Sequence, residues 1–177
     1  MKYAKIAIPF VLFVALGCSN ENPVSEPEAK TVSFTGQFFG KNQVGSSVFG
    51  LERCSGDLIS LNLAGTGQFT QIGVATVELA HCARPEPISS NPLTLEVLYG
   101  KIVLVGANGD KIHIAYAGSV VYSGKVVLTG EFYISGGAGR FSGANGNGTF
   151  VCEMTGADNE FVSTLKGEIS SSRASGI

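Results

Sequence analysis

From residue 31 onward apolar side chains recur at every second position, and the runs they form are cut by glycine-rich turns. A period of two sends successive side chains to opposite faces, which is the pattern of half-buried strands rather than of helices. No stretch sustains helical periodicity beyond a turn or two. The spacing predicts eight strands, at 31–39, 58–65, 73–82, 93–105, 111–118, 125–135, 148–155 and 160–169, with a short extra one near 44–51. The connections are too short for the crossovers that parallel strands require, so neighbours in sequence pair as antiparallel hairpins. Eight such strands can close on themselves, which removes exposed edges. The expected fold is therefore all-β, an eight-stranded antiparallel barrel with room inside for packed side chains or one small ligand.

Two turns stand out. Asn108-Gly109 can take the two positive φ values of a type I′ hairpin, joining 101–105 to 111–116. Glycine makes up 24 of the 177 residues and is concentrated at 136–148. Such a run could cradle a phosphate through its backbone N–H groups. It lacks the Gly-Lys-Ser/Thr ending of a P-loop and precedes no predicted helix, so a structural corner is the better reading.

The N-terminus is of a different kind. Lys2 and Lys5 precede an apolar run, Ile6 to Leu16, too short for a spanning helix and built like a secretory signal. It ends at Ala15-Leu16-Gly17-Cys18, which resembles a lipobox, the small residues before a cysteine that is lipidated and becomes the mature N-terminus. Residues 1–17 are thus expected to be a lipoprotein signal peptide and 18–30 a disordered tether, since two prolines and three glutamates leave almost nothing apolar to bury. The barrel domain spans 31–170, and 171–177 form a flexible tail. Ser19 in place of an aspartate points to the outer membrane, so the expected location is the bacterial cell envelope, with the membrane as a partner through Cys18. The chain has 12 basic and 14 acidic residues; without Lys2 and Lys5 the balance is 10 against 14, with no basic stripe for a nucleic acid.

Cys54, Cys82 and Cys152 remain in the body, and export allows disulfides to persist. Folding 58–65 back on 73–82 as a hairpin brings the outer ends together, so Cys54 and Cys82 form the expected pair. Cys152 is then left as a buried thiol, on a strand where Phe150, Cys152 and Met154 share one face. The chain holds no Cys-x-x-Cys pair of the kind found in structural zinc or thioredoxin-like sites, and neither a metal nor a cofactor is expected.

The segment Gly-Gly-Ala-Gly-Arg-Phe-Ser-Gly-Ala-Asn-Gly-Asn-Gly-Thr-Phe (136–150), with Ala-Asn-Gly-Asp (107–110) before it and Leu-Lys-Gly-Glu-Ile (165–169) after, resembles the bacterial branch of the allene oxide cyclase and dirigent barrel superfamily. The resemblance implies a calycin-like barrel with a central cavity. In plants such proteins cyclise an unstable fatty-acid epoxide or steer the coupling of phenolic radicals, and many are trimers, which leaves a homo-oligomer open here. Bacterial members often carry Thr-His-Leu-Gly where this chain has Thr70-Gln71-Ile72-Gly73, so no catalytic residue carries over.

Only two histidines are present. His113 alternates with Ile112, Ile114 and Tyr116 and is expected to face solvent. His81 adjoins Cys82, but neighbours on a strand point to opposite faces, which argues against a nucleophilic Cys–His pair. A carboxylate or phenol in an apolar lumen could act as an acid or base with a raised pKa. Glu78, Glu96, Glu131 and Glu153 lie on predicted strands, and alternation turns them outward. Asp57, Asp110 and Asp158 lack the spacing of a calcium loop. Tyr99, Tyr116, Phe132, Phe150 and Phe161 are the expected lumen lining. Together these features predict a lipid-anchored barrel that binds a small apolar ligand or an envelope partner, with a metal-independent isomerase or cyclase working in the lumen as the alternative.

Overall fold

The computed structural model describes residues 30–42, 54–56, 58–85, 93–155 and 159–170. The signal peptide, Cys18 and most of the tether lie outside these residues, as do the extra strand near 44–51, Asp57, Asp158 and the tail at 171–177. The alternating runs form eight strands: β1 (Thr31–Asn42), β2 (Ile59–Phe69), β3 (Gly73–Pro85), β4 (Leu93–Gly106), β5 (Lys111–Tyr122), β6 (Val126–Ala138), β7 (Asn145–Met154) and β8 (Glu160–Ser170). Each pairs antiparallel with the next in sequence, and β1 also pairs with β8, from Thr31 opposite Ser170 to Lys41 opposite Glu160. The sheet is thereby a closed barrel in the order β1 to β8.

Alternation sorts the side chains into a lumen and an outer surface. Phe34, Phe38, Phe69, Phe132 and Phe161 are fully buried in the lumen. Their rings are neighbours in edge-on and stacked pairs, with Phe34 6.1 Å from Phe132 and Phe38 5.7 Å from Phe161. Each such ring contributes on the order of 1.5–3 kcal/mol by leaving water. With Leu104, Ile112, Leu165 and Ile169 they make one half of the lumen solid.

That half is also tied across its turns. Arg140, in the single turn of 3-10 helix at Gly139–Phe141, places Nε 3.0 Å from Asp110 Oδ2 and donates from Nη2 to the Gln71 carbonyl at 2.7 Å. Gln71 in turn donates to the Ser33 carbonyl, so the β2–β3, β4–β5 and β6–β7 connections and the start of β1 are laced together. The glycine-rich run is partly strand: 136–138 extend β6 and 145–147 begin β7. Glycine fits there because neighbouring backbone crowds its Cα, as the Glu168 carbonyl does at Gly146.

The β4–β5 turn differs from the expected type I′ hairpin. Gly109 N–H donates to the Gly106 carbonyl at 2.9 Å, and Gly109 has φ 86°, whereas Asn108 is not in the left-handed region. This is a three-residue loop closed by a left-handed glycine. Asn108 uses its side chain instead, donating to Asp110 Oδ2 at 2.7 Å and accepting from the Asp110 N–H.

One irregularity shapes the lumen more than any turn. Between Val97 and Gly100 the register of β4 against β5 shifts, and the β3–β4 register shifts at the same level, between Ala80 and Cys82. Two residues of β4 there face one on each neighbour, a β-bulge, and Tyr99 has φ 55°. Inward positions switch from even numbers (Gly100, Ile102, Leu104) to odd ones (Val97, Leu95). At Gly100 the missing side chain leaves space for the Tyr116 ring: a Cβ there would sit 2.6 Å from three ring atoms. Gly100→Ala is therefore expected to lower the urea midpoint with an unchanged slope, corresponding to about 1–3 kcal/mol of overpacking. An unaltered midpoint would mean that the ring shifts without cost.

Candidate functional site

Beyond the aromatic plug the lumen opens into a cup of about 390 Å³. Its wall is largely aliphatic, from Leu61 and Leu63 on β2, Leu95 on β4, Val120 on β5, and Val126 and Leu128 on β6. These residues alternate with outward ones on their strands, so the cup follows directly from strand parity. Asn42 and Asn159 stand at its rim, where Asn42 N–H donates to the Asn159 carbonyl at 3.1 Å.

Four polar side chains occupy the floor. His81 and Cys152 line both the cup and a small void of about 30 Å³ beneath it, and Tyr116 and Ser163 border that void. His81 Nδ1 lies 2.7 Å from the Tyr116 hydroxyl. The two rings meet edge to face at 5.9 Å, and Tyr116 meets Phe150 in the same way at 5.2 Å. His81 is only 4% exposed and Tyr116 only 5%.

Burial governs the protonation of this floor, because desolvation disfavours whichever form is charged. It lowers the His81 pKa from 6.5 to about 4, so the imidazole is neutral at physiological pH. It raises the Tyr116 hydroxyl well above its ordinary value, with the nearby Cys152 adding to the effect. The Cys152 thiol is pushed up to about 12, chiefly by burial, against a hydrogen bond from Ser163 that favours the thiolate and with a smaller push from Glu153. A thiol held protonated is a poor nucleophile.

The aromatic residues singled out in the sequence divide unequally. Tyr116, Phe132, Phe150 and Phe161 are buried in the lumen. Tyr99 is not: it is 49% exposed, because the bulge at Leu98–Tyr99 inserts a residue and turns it outward. Cys54 and Cys82 are joined by a disulfide, with Cα atoms 5.5 Å apart, and Cys152 is half-buried with a free thiol. Glu96 pairs with Arg84 at 2.7 Å outside the barrel, Glu131 and Glu153 are exposed, and His113 is exposed as well. Among the described residues no carboxylate lines the cup or the void below it.

The residue that sequence reasoning passed over is His81, weighed only as a partner for Cys82. The signal was present, since alternation from Val77 and Leu79 carries residue 81 to the same inward face. What it could not supply was Tyr116, which is 35 residues away and on a strand two places along the sheet. No protein-family description and no curated protein matches this chain.

An apolar cup above a neutral histidine–tyrosine pair can hold an uncharged molecule and offer it a hydrogen bond. It also makes stability depend on pH. Because His81 has a lower pKa folded than unfolded, its burial is tolerated above about pH 6.5, and stability falls as the pH drops from there toward 4. Thermal melts of the wild-type chain and His81→Gln are expected to diverge over that window, the wild type losing up to about 3 kcal/mol more. Parallel melting curves across pH 7 to 4 would show that His81 is not held neutral by the fold.

Proposed function

We propose that the protein is an exported, lipid-anchored barrel of allene oxide cyclase type that binds a small apolar molecule in the open half of its lumen. The observation that carries this reading is the aliphatic cup of about 390 Å³, which among the described residues is open at one end and is closed below by the floor of the same lumen. Small-molecule sites are typically concavities of roughly 300–1,000 Å³ lined by apolar groups with a few polar ones. A barrel that had only to be stable would gain by filling that space, since each unfilled methylene-sized gap forfeits packing. Here the aromatic residues fill one half closely, while among the described residues the other half is left open. Export and anchoring rest on the N-terminal pattern, the apolar run ending at Ala15-Leu16-Gly17-Cys18. Two or more acyl chains on Cys18 would give stable attachment, at about 0.8 kcal/mol per buried methylene.

The test of ligand binding uses N-phenyl-1-naphthylamine, an uncharged dye that brightens in apolar surroundings. Val126→Trp, which places an indole in the cup, is expected to weaken dye binding by tenfold or more, whereas Thr129→Trp on the outer surface leaves it unchanged. The chain has no tryptophan of its own, so the new indole also reports its surroundings, blue-shifted at 126 and water-like at 129. Equal dye binding by both variants would place the dye elsewhere and sink the reading.

Anchoring has a separate test. Metabolic labelling with palmitate in a bacterial host is expected to tag the full chain and to fail for Cys18→Ser. Labelling that survives the substitution would refute the assignment of Cys18.

A second reading, a metal-independent isomerase or cyclase, is favoured by one observation, the His81–Tyr116 hydrogen bond at the floor. A neutral imidazole and a protonated phenol side by side can take and return a proton in a water-poor site. Recovery of a bound molecule in rearranged form, lost on Tyr116→Phe, would select this reading over simple binding.

A further inference from the structure

The hydrogen bond at the floor of the cup has a direction, and the direction decides what the cup recognises. Tyr116 has one hydroxyl proton, and among the described residues its side chain makes a single hydrogen bond, to His81 Nδ1. If Nδ1 carried the imidazole proton, the bond would run from histidine to tyrosine. The tyrosine proton would then be left without an acceptor, and Nε2 would be an unpartnered acceptor. If Tyr116 donates instead, its proton is satisfied, Nδ1 is the acceptor, and the imidazole proton must sit on Nε2. The first arrangement leaves two polar groups of the pair unmade and the second only one, so the second prevails. It leaves a single N–H without a partner among the described residues, on a ring that lines the cup.

We infer that His81 presents its Nε2–H to the cup as a fixed hydrogen-bond donor, so that the site takes an apolar molecule carrying one uncharged acceptor oxygen, such as a carbonyl, at its inner end. The inference rests on the reading of the cup as a ligand site. The charge of the ligand follows from the lining. Leu61, Leu63, Leu95, Val120, Val126 and Leu128 contribute no charge, and among the described residues no lysine or arginine borders the cup. A carboxylate taken down to His81 would be desolvated without a cation among the described residues to compensate it. A pure hydrocarbon would fit the wall but leave the Nε2–H unanswered. Tyr116 acts as a positioning residue, since it fixes which nitrogen carries the proton and is separated from the cup by the histidine.

Three nine-carbon probes separate these cases, each tested for displacement of N-phenyl-1-naphthylamine from the full folded domain: 2-nonanone, n-nonane and nonanoate. The ketone is expected to displace dye at roughly tenfold lower concentration than the hydrocarbon, the ratio that one added hydrogen bond gives. Nonanoate is expected to be the weakest of the three. In His81→Leu/Tyr116→Phe, where both partners become apolar and the floor stays filled, the ketone's advantage should vanish while n-nonane still competes. Independently of any ligand, ¹⁵N NMR of histidine-labelled wild-type protein should show His81 Nδ1 with the pyridine-like shift of an acceptor and Nε2 with the pyrrole-like shift of a protonated nitrogen. Equal displacement by ketone and hydrocarbon, or the opposite tautomer, would overturn the inference and leave apolar binding standing. Absence of dye binding in the cup would overturn the binding reading and the inference with it.

Discussion

Closure of the sheet is the constraint on which everything else in this protein rests. β1 pairs on one side with β2 and on the other with β8, so that every strand has a neighbour on both sides and the sheet has no edge strand. An open eight-stranded sheet of the same sequence would expose a row of N–H and C=O groups at each edge and leave its apolar face uncovered. Once the sheet is closed, that face becomes a lumen, and every inward side chain competes for a fixed volume. The aromatic rings, the glycines and the bulge in β4 are all responses to that volume.

The two halves of the lumen respond differently. At the laced end, phenylalanines from β1, β2, β6 and β8 fill the interior, with glycines admitting rings where two large side chains would collide, as at Gly148 beneath the Phe132 ring. Arg140 and Asp110 hold the corners over this plug. At the other end the inward residues are leucine, valine and methionine, too short to meet across the barrel, and the cup remains.

Between the halves lies a thin polar layer, His81, Tyr116, Cys152 and Ser163, in surroundings that penalise charge. Each of the three titratable members is shifted toward its neutral form for the same reason, desolvation. The layer is therefore a set of directional hydrogen-bonding groups rather than a charged centre. Low local dielectric strengthens such bonds and raises the cost of leaving one unmade. This gives the floor of the cup a chemical preference that an aliphatic wall alone lacks.

Much of this is legible in the amino-acid sequence. Period-two alternation determined the strands, their number and the inward sets wherever no bulge intervenes, because side-chain direction in a strand is a local property of the backbone. It also set Phe132, Phe150, Phe161 and Tyr116 inside and the four strand glutamates away from the cup. Alternation failed at Tyr99, where a bulge adds a residue that no local pattern announces, since bulges arise from pairing with both neighbours at once. The strands reach further into the β6–β7 corner than the pattern indicates for a similar reason: glycine weakens a strand in isolation and is favoured only where another backbone comes close. What tertiary structure alone decided was the meeting of His81 with Tyr116 and the division of the lumen into a plug and a cup. Both depend on the register of strands distant in sequence and on the sum of side-chain volumes across the barrel, quantities that closure sets and a linear pattern does not contain.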